Sequence, residues 1–227
     1  MGIMKRINQE TLFERNWNRF KGFASENKVE KISESVFSRK DNPPYLAIQI
    51  DVNQKLWKPI QQIQADLETI EHRHKFYHPL YFHITVKHIG WDNGYDRERI
   101  KESVLTSLEK FEPFNINLKG LNIFPACVFV QVFNKNGSIH KIHESLCGGL
   151  RKFCDMQIIE GSNYIPHVAI LSFDSDTNQI FLEAIEKYRC YEIGEFFVRR
   201  VHMVEAFSFR NVGCYKKIFS VDLKGKI

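Results

Sequence analysis

The segment LYFHITVKHIGWDNG, residues 80–94, decides how this chain is read. Strand side chains alternate faces, so an extended backbone here sends Ile84, Val86 and His88 one way and His83, Thr85 and Lys87 the other. One face has the character of a core and the other of a polar site. Tyr81 has the parity of His83 and stands at the mouth of the strand. A hydroxyl two residues from an imidazole emerges on the same face, about 6.5–7 Å away. Histidine, spacer, threonine is therefore a sensible half of an acid–base site.

Working outward, strands and helices alternate. YLAIQIDV (45–52) reads as a strand and QKLWKPIQQIQADLETIEHR (54–73) as a helix before the His83 strand. Ile100, Val104, Leu105 and Leu108 share a helical face. FNINLKGLNIFP and ACVFVQVF (114–133) read as strands. A helix is expected from Ser138, carrying Ile142, Leu146, Leu150 and Phe153. HVAILSF (167–173) is then a strand and TNQIFLEAIEKY (177–188) a helix. FVRRVHMVEAFSF (197–209) and KKIFSVDL (216–223) read as two closing strands of a hairpin. The order repeats itself: a strand opening at Tyr45 leads through a helix to the His83 strand, and one opening near Ala126 leads through a helix to a strand opening on His167. Two half-domains related in this way bring both histidines to one cleft.

Two imidazoles are enough for phosphodiester chemistry. A neutral one takes a proton from the attacking oxygen and a protonated one gives a proton to the leaving oxygen, both near working pH. Thr85 is placed to donate to a phosphate oxygen. His143-Glu144-Ser145 repeats the spacing, but in a predicted helix, where side chains two apart diverge.

HITVKHIG (83–90) resembles the first signature of the two-histidine (2H) phosphoesterases, in particular the 2′-5′ RNA ligase and cyclic phosphodiesterase branch. YIPHVAILSF (164–173) resembles the second. The family carries two His-x-Thr/Ser motifs on strands of a bilobal, pseudo-symmetric α+β fold with antiparallel sheets flanked by helices. The resemblance runs from about Tyr45 to the C-terminus. It implies that His83 and His167 are the acid–base pair and Thr85 the phosphate-oxygen donor. It also implies action, without a metal or other cofactor, on 2′,3′-cyclic phosphate or 2′-5′-linked RNA and nucleotide ends, with reverse 2′-5′ ligation.

One position departs. Ala169 stands where the second motif has its hydroxyl. A hydrogen bond to a charged group is worth about 1.5–3 kcal/mol, so its loss corresponds to roughly 10- to 100-fold in rate. Lys87, by parity, is the expected stand-in, whereas parity sends Ser172 to the face opposite His167. Tyr81, Phe124 and Tyr164 are candidates for stacking on a base, and Arg151 and Lys152 for reaching phosphates.

Composition bounds the alternatives. With 43% hydrophobic residues and 19 Phe, the chain can build a large core, and its net charge of +5 suits a phosphate-bearing ligand without marking a dedicated DNA binder. Five scattered cysteines argue against a disulfide framework. No signal peptide or membrane span is evident, so a cytoplasmic protein without obligate protein partner is expected, acting on RNA ends or small cyclic nucleotides. A zinc hydrolase is a weaker alternative: His72, His74, His78, His83 and His88 crowd together, but Pro79 disfavours a helix that would align His74 and His78. A non-catalytic RNA- or nucleotide-binding module is the rival from another class. The domain boundaries expected are 1–40 for a helical extension, with Phe13, Trp17, Phe20 and Ala24 on one face and helix continuing to about residue 37, and 41–227 for the two-lobed domain.

Overall fold

The computed structural model describes residues 8–34, 42–151, 164–206 and 215–225, and among these described residues nine strands fall into two sheets. The first sheet joins β1 (Tyr45–Asp51), β3 (His83–Trp91), β8 (Arg200–Ala206) and β9 (Tyr215–Asp222) in the order β3-β1-β8-β9. The second joins β2 (Lys75–Phe76), β4 (Phe114–Phe124), β5 (Cys127–Phe133), β6 (His167–Ser172) and β7 (Glu192–Val198) in the order β2-β6-β5-β4-β7. Every pairing among them is antiparallel. The orders β3-β1-β8-β9 and β6-β5-β4-β7 correspond, each His-bearing strand lying beside the strand that opens its half. The α+β fold with a two-fold internal repeat, expected from the order of elements, is what the chain adopts.

Five helices complete it among the described residues: α1 (Gln9–Ser25), α2 (Trp57–Glu68), α3 (Arg97–Leu108), α4 (Ser138–Leu150) and α5 (Gln179–Lys187). The carboxylate of Asp96 caps α3 and the amide oxygen of Asn178 caps α5, each accepting a backbone N–H of the first turn. Leu46, Ile48 and Ile50 of β1, Val128, Val130 and Val132 of β5, and the apolar stripes of α2, α3 and α4 join in one contiguous core. Burying each such side chain is worth about 1.5–3 kcal/mol. The helices cross over between halves: α2 lies against β6 and α5, while α4 lies against β3 and α3.

Two expectations need correction, and one strand was not foreseen. Residues 197–209 are not one strand: the chain passes from the second sheet to the first at Arg199. Val198 and Val201 are buried while Arg199 and Arg200 between them are exposed, and two successive outward charges cannot belong to one alternating strand. The N-terminal helix stops at Ser25 rather than near residue 37. Asn27 takes the left-handed conformation (φ 56°), and the amides of Lys28 and Asn27 return to the carbonyls of Phe23 and Ala24, which closes the helix. The short β2 strand escaped the pattern altogether. The β8–β9 hairpin forms as expected, with its turn outside the described residues. Among the described residues no helix is long and apolar enough to cross a membrane.

Candidate active site

Both His-bearing strands carry an extra residue at the same place. In β3, Thr85 faces Gln49 and Lys87 faces Ile48, so Val86 is a β-bulge. In β6, Ala169 faces Phe129 and Leu171 faces Val128, so Ile170 is the bulge. Each bulge lies three residues after its histidine. The strands lie against each other across the two sheets, and the Tyr164 hydroxyl, just ahead of β6, donates to the Thr85 carbonyl at 2.8 Å.

The two imidazoles are oriented in the same way. Nδ1 of His83 lies 2.7 Å from the Tyr81 carbonyl oxygen, and Nδ1 of His167 lies 2.9 Å from that of Ile165. A carbonyl only accepts, so Nδ1 carries the proton in both rings and Nε2 is left as the atom that gains or loses one. Burial pushes the His83 imidazole below its ordinary pKa, against the upward pull of the Tyr81 carbonyl and the Asp51 carboxylate.

The walls differ. Beside His83, register places Asp51, Gln49 and Ala47 of β1 on one face with His83, Thr85 and His88. His202 faces Gln49 from β8, and its Nδ1 meets Ser220 Oγ at 2.7 Å. Asp51 pairs with Lys217 at 2.5 Å and accepts from Gln49 Nε2 at 3.2 Å. The Tyr215 ring stands edge-on to His83 at 6.2 Å, its hydroxyl donating to the Leu80 carbonyl. Burial, with Asp51 nearby, pushes that phenol up to about 12, so it stays protonated. Beside His167 the surroundings are aromatic. Phe124 and Phe129 stand 5.0 and 5.2 Å from its ring and stack on each other at 4.4 Å. Behind them lies α1, with Phe20 against Phe124 and Phe13 against Phe129. Asn16 of α1 donates to Asn122 Oδ1 and to the Ile123 carbonyl.

Several candidates move. Lys87 does not share a face with His83 and Thr85: the Val86 bulge reverses parity and puts it opposite Ile48, fully buried on the core-facing side. His88 takes the site face instead. The Ile170 bulge likewise brings Ser172, opposite Cys127, onto the face of His167 and Ala169, where its hydroxyl shares a 2.5 Å hydrogen bond with Tyr77. Tyr164 is withdrawn from the cleft, 5% exposed and stacked on His143 at 4.1 Å. Tyr81 belongs to a 3₁₀ turn rather than the strand, so parity does not apply to it; its carbonyl holds His83. Phe124 keeps its place at the site. Arg151 is exposed at the end of α4, and Lys152 lies outside the described residues. The clustered histidines disperse: Nδ1 of His78 caps its own turn, His74 pairs with Ser175 Oγ at 3.1 Å, and among the described residues no three His, Cys, Asp or Glu side chains converge as metal ligands. Asp51, Gln49, His202 and Tyr215 were missed. The alternation Tyr45, Ala47, Gln49, Asp51 along β1 would have flagged Gln49 and Asp51 as polar groups on one face of a buried strand.

The chain is 25% identical over 156 residues to the RNA 2′,3′-cyclic phosphodiesterase of Methanothermobacter thermautotrophicus, an alignment spanning 68% of this chain and 85% of that one. Its fold matches TT0787 of Thermus thermophilus with a TM-score of 0.65 at 13% identity, over 81% of this chain and 100% of that one. It matches E. coli LigT, crystallised with 3′-AMP, with a TM-score of 0.62 at 15% identity, over 80% and 98% respectively. The sequence model of the 2′-5′ RNA ligase superfamily matches residues 52–206, and the chain belongs to that superfamily, the 2H phosphoesterases.

Proposed function

We propose that this chain opens 2′,3′-cyclic phosphates at RNA ends or on small cyclic nucleotides, with His83 as general base and His167 as general acid. The carrying observation is the matched pair of rings, each with Nδ1–H committed to the carbonyl two residues earlier, which makes Nε2 the nitrogen that exchanges a proton. The name of the archaeal relative supports the substrate class. Burial favours the neutral form of His83, which suits it to take the proton of water. The water oxygen bonds to phosphorus, the bond from phosphorus to one ribose oxygen breaks, and that oxygen takes the proton from His167. Thr85 donates to a phosphate oxygen as charge builds, and Phe124 offers a face to a base. Run with a 5′-hydroxyl in place of water and the 3′-oxygen leaving, the same transfers give a 2′-5′ linkage.

Ala169 supports a second reading, a nucleotide-binding module of the same fold without turnover. The deciding experiment incubates the protein with an RNA oligonucleotide ending in 2′,3′-cyclic phosphate and measures binding in parallel. The opened monophosphate should form, and His83→Ala or His167→Ala should each slow its formation by about 10²- to 10⁴-fold. Tight binding without product at any pH would establish the binding module. Turnover abolished by a chelator and restored by zinc would establish a metal hydrolase instead.

A further inference from the structure

We infer that Gln64 and His143 are a matched pair of positioning residues, each reaching from the helix of one half-repeat to pin the β-bulge behind the active-site histidine of the other half. His143, on α4 between β5 and β6, presents Nδ1 to the carbonyl of Val86 at 2.7 Å. Gln64, on α2 between β1 and β3, donates Nε2–H to the carbonyl of Ile170 at 2.7 Å and to that of Tyr77 at 2.8 Å. Val86 and Ile170 are the equivalent bulge residues of β3 and β6. Both partners are carbonyls, so His143 carries its proton on Nδ1 and Gln64 turns its amide nitrogen toward β6. Both side chains are buried.

The bulges are where such support is needed. A bulge leaves its extra residue out of the ladder. Moreover, β3 is an edge strand, and β6 is flanked on its outer side only by the two-residue β2. Sliding either strand by one residue would exchange its faces and take the histidine and its neighbour two residues on out of the cleft. A donor on each bulge carbonyl opposes that slip. Because each donor stands on the other half's helix, the two pins also tie the halves together. Each is reinforced by a tyrosine of its own half: Tyr164, stacked on His143, binds the Thr85 carbonyl, and the Tyr77 amide binds the Ile170 carbonyl.

The proposal rests on the assigned activity for its turnover readout alone, so the experiment has a second arm that needs no substrate. His143→Phe keeps a ring on Tyr164 without the donor, Gln64→Met keeps the length without the amide, and His143→Gln and Gln64→His exchange the two donors. Opening of 2′,3′-cyclic phosphate should slow about 10- to 100-fold in kcat in the first two variants, as for a misplaced reacting group, with KM nearly unchanged and melting still cooperative. The exchanged donors should restore most of kcat. In ring-resolved histidine NMR, His143→Phe should shift or broaden the His83 signals and spare His167, and Gln64→Met should do the converse. Unchanged kcat in a folded variant, or both histidines moving together in each variant, would overturn the proposal. If an apolar variant does not fold, its exchanged donor decides: near-normal turnover and NMR signals uphold the proposal, and their loss overturns it. A wild type that opens no cyclic phosphate would sink the assigned activity but leave the crossed NMR pattern to decide the pins.

Discussion

The two half-repeats share a backbone device and differ in almost everything around it. Each has a histidine opening a bulged strand, with Nδ1 tied to the carbonyl two residues earlier. The first half surrounds its ring with Asp51, Gln49, His202 and Tyr215, and the second with Phe124, Phe129 and the helix α1. The repeat therefore fixes where two imidazoles stand, and the walls give them different surroundings. A carboxylate and a phenol can grip polar groups and tune a base, whereas stacked phenylalanines present an apolar face.

The hydroxyl missing from the second half gives the sharpest way to break that division. If Thr85 supplies a phosphate contact that Ala169 does not, Thr85→Ala should lower kcat about 10- to 100-fold, the worth of one hydrogen bond to a charged group. Ala169→Thr should leave kcat equal or higher. A severe loss from Ala169→Thr, read as initial rates on one cyclic phosphate, would mean that the aromatic wall needs that position small.

Much of this was legible in the chain because alternation and spacing are local signals. The two His strands, the helices between them and the repeat all follow from periods of two and 3.6. What misled was parity counted through a bulge. Lys87 and Ser172 both lie beyond an inserted residue, and both therefore changed face. The walls were hidden for another reason: His202 and Tyr215 reach the site from strands more than a hundred residues downstream of His83, and no short window joins them. His143 repeats the spacing of the motif on a helix and stands instead behind β3.

Only the second half is backed by α1, and that asymmetry is testable as stability. Asn16 holds the helix to β4 through two buried hydrogen bonds, and Gln9 adds contacts at Val132 and Asn134. Asn16→Leu removes the donor from the buried Ile123 carbonyl and one of the two donors to Asn122 Oδ1, which keeps the Ile123 amide, a loss of about 1–3 kcal/mol. Thermal unfolding should fall by about 2–4 °C for each kcal/mol in a chain of this size. A variant as stable as wild type would mean that the apolar packing of Phe13 and Trp17, with the Gln9 contacts, docks the helix without Asn16.

Acid should loosen the molecule as well. Burial lowers the pKa of His74, His83 and His202 in the folded state. Below the ordinary imidazole value of about 6.5 the unfolded chain then binds more protons than the folded one. Each of these groups contributes stability that is present above that value and is lost as pH falls through the folded pKa. Melting temperature should therefore decline as pH drops from about 7 toward 5. His74→Phe should soften the decline, and an unchanged slope in that variant would remove His74 from the account.

The smallest effect separates the roles of the halves. Asp51 pulls the His83 pKa upward against the larger, downward effect of burial. Asp51→Asn removes that pull, so His83 should stay neutral to lower pH. The acid limb of kcat/KM against pH reports protonation of the base in the free enzyme and should move to lower pH. With His167 as the proposed acid, its ring held against Phe124 and Phe129, the basic limb should stay where it is. If instead the basic limb moves and the acid limb does not, the polar half holds the proton donor, and the assignment of base and acid to the two halves must be exchanged.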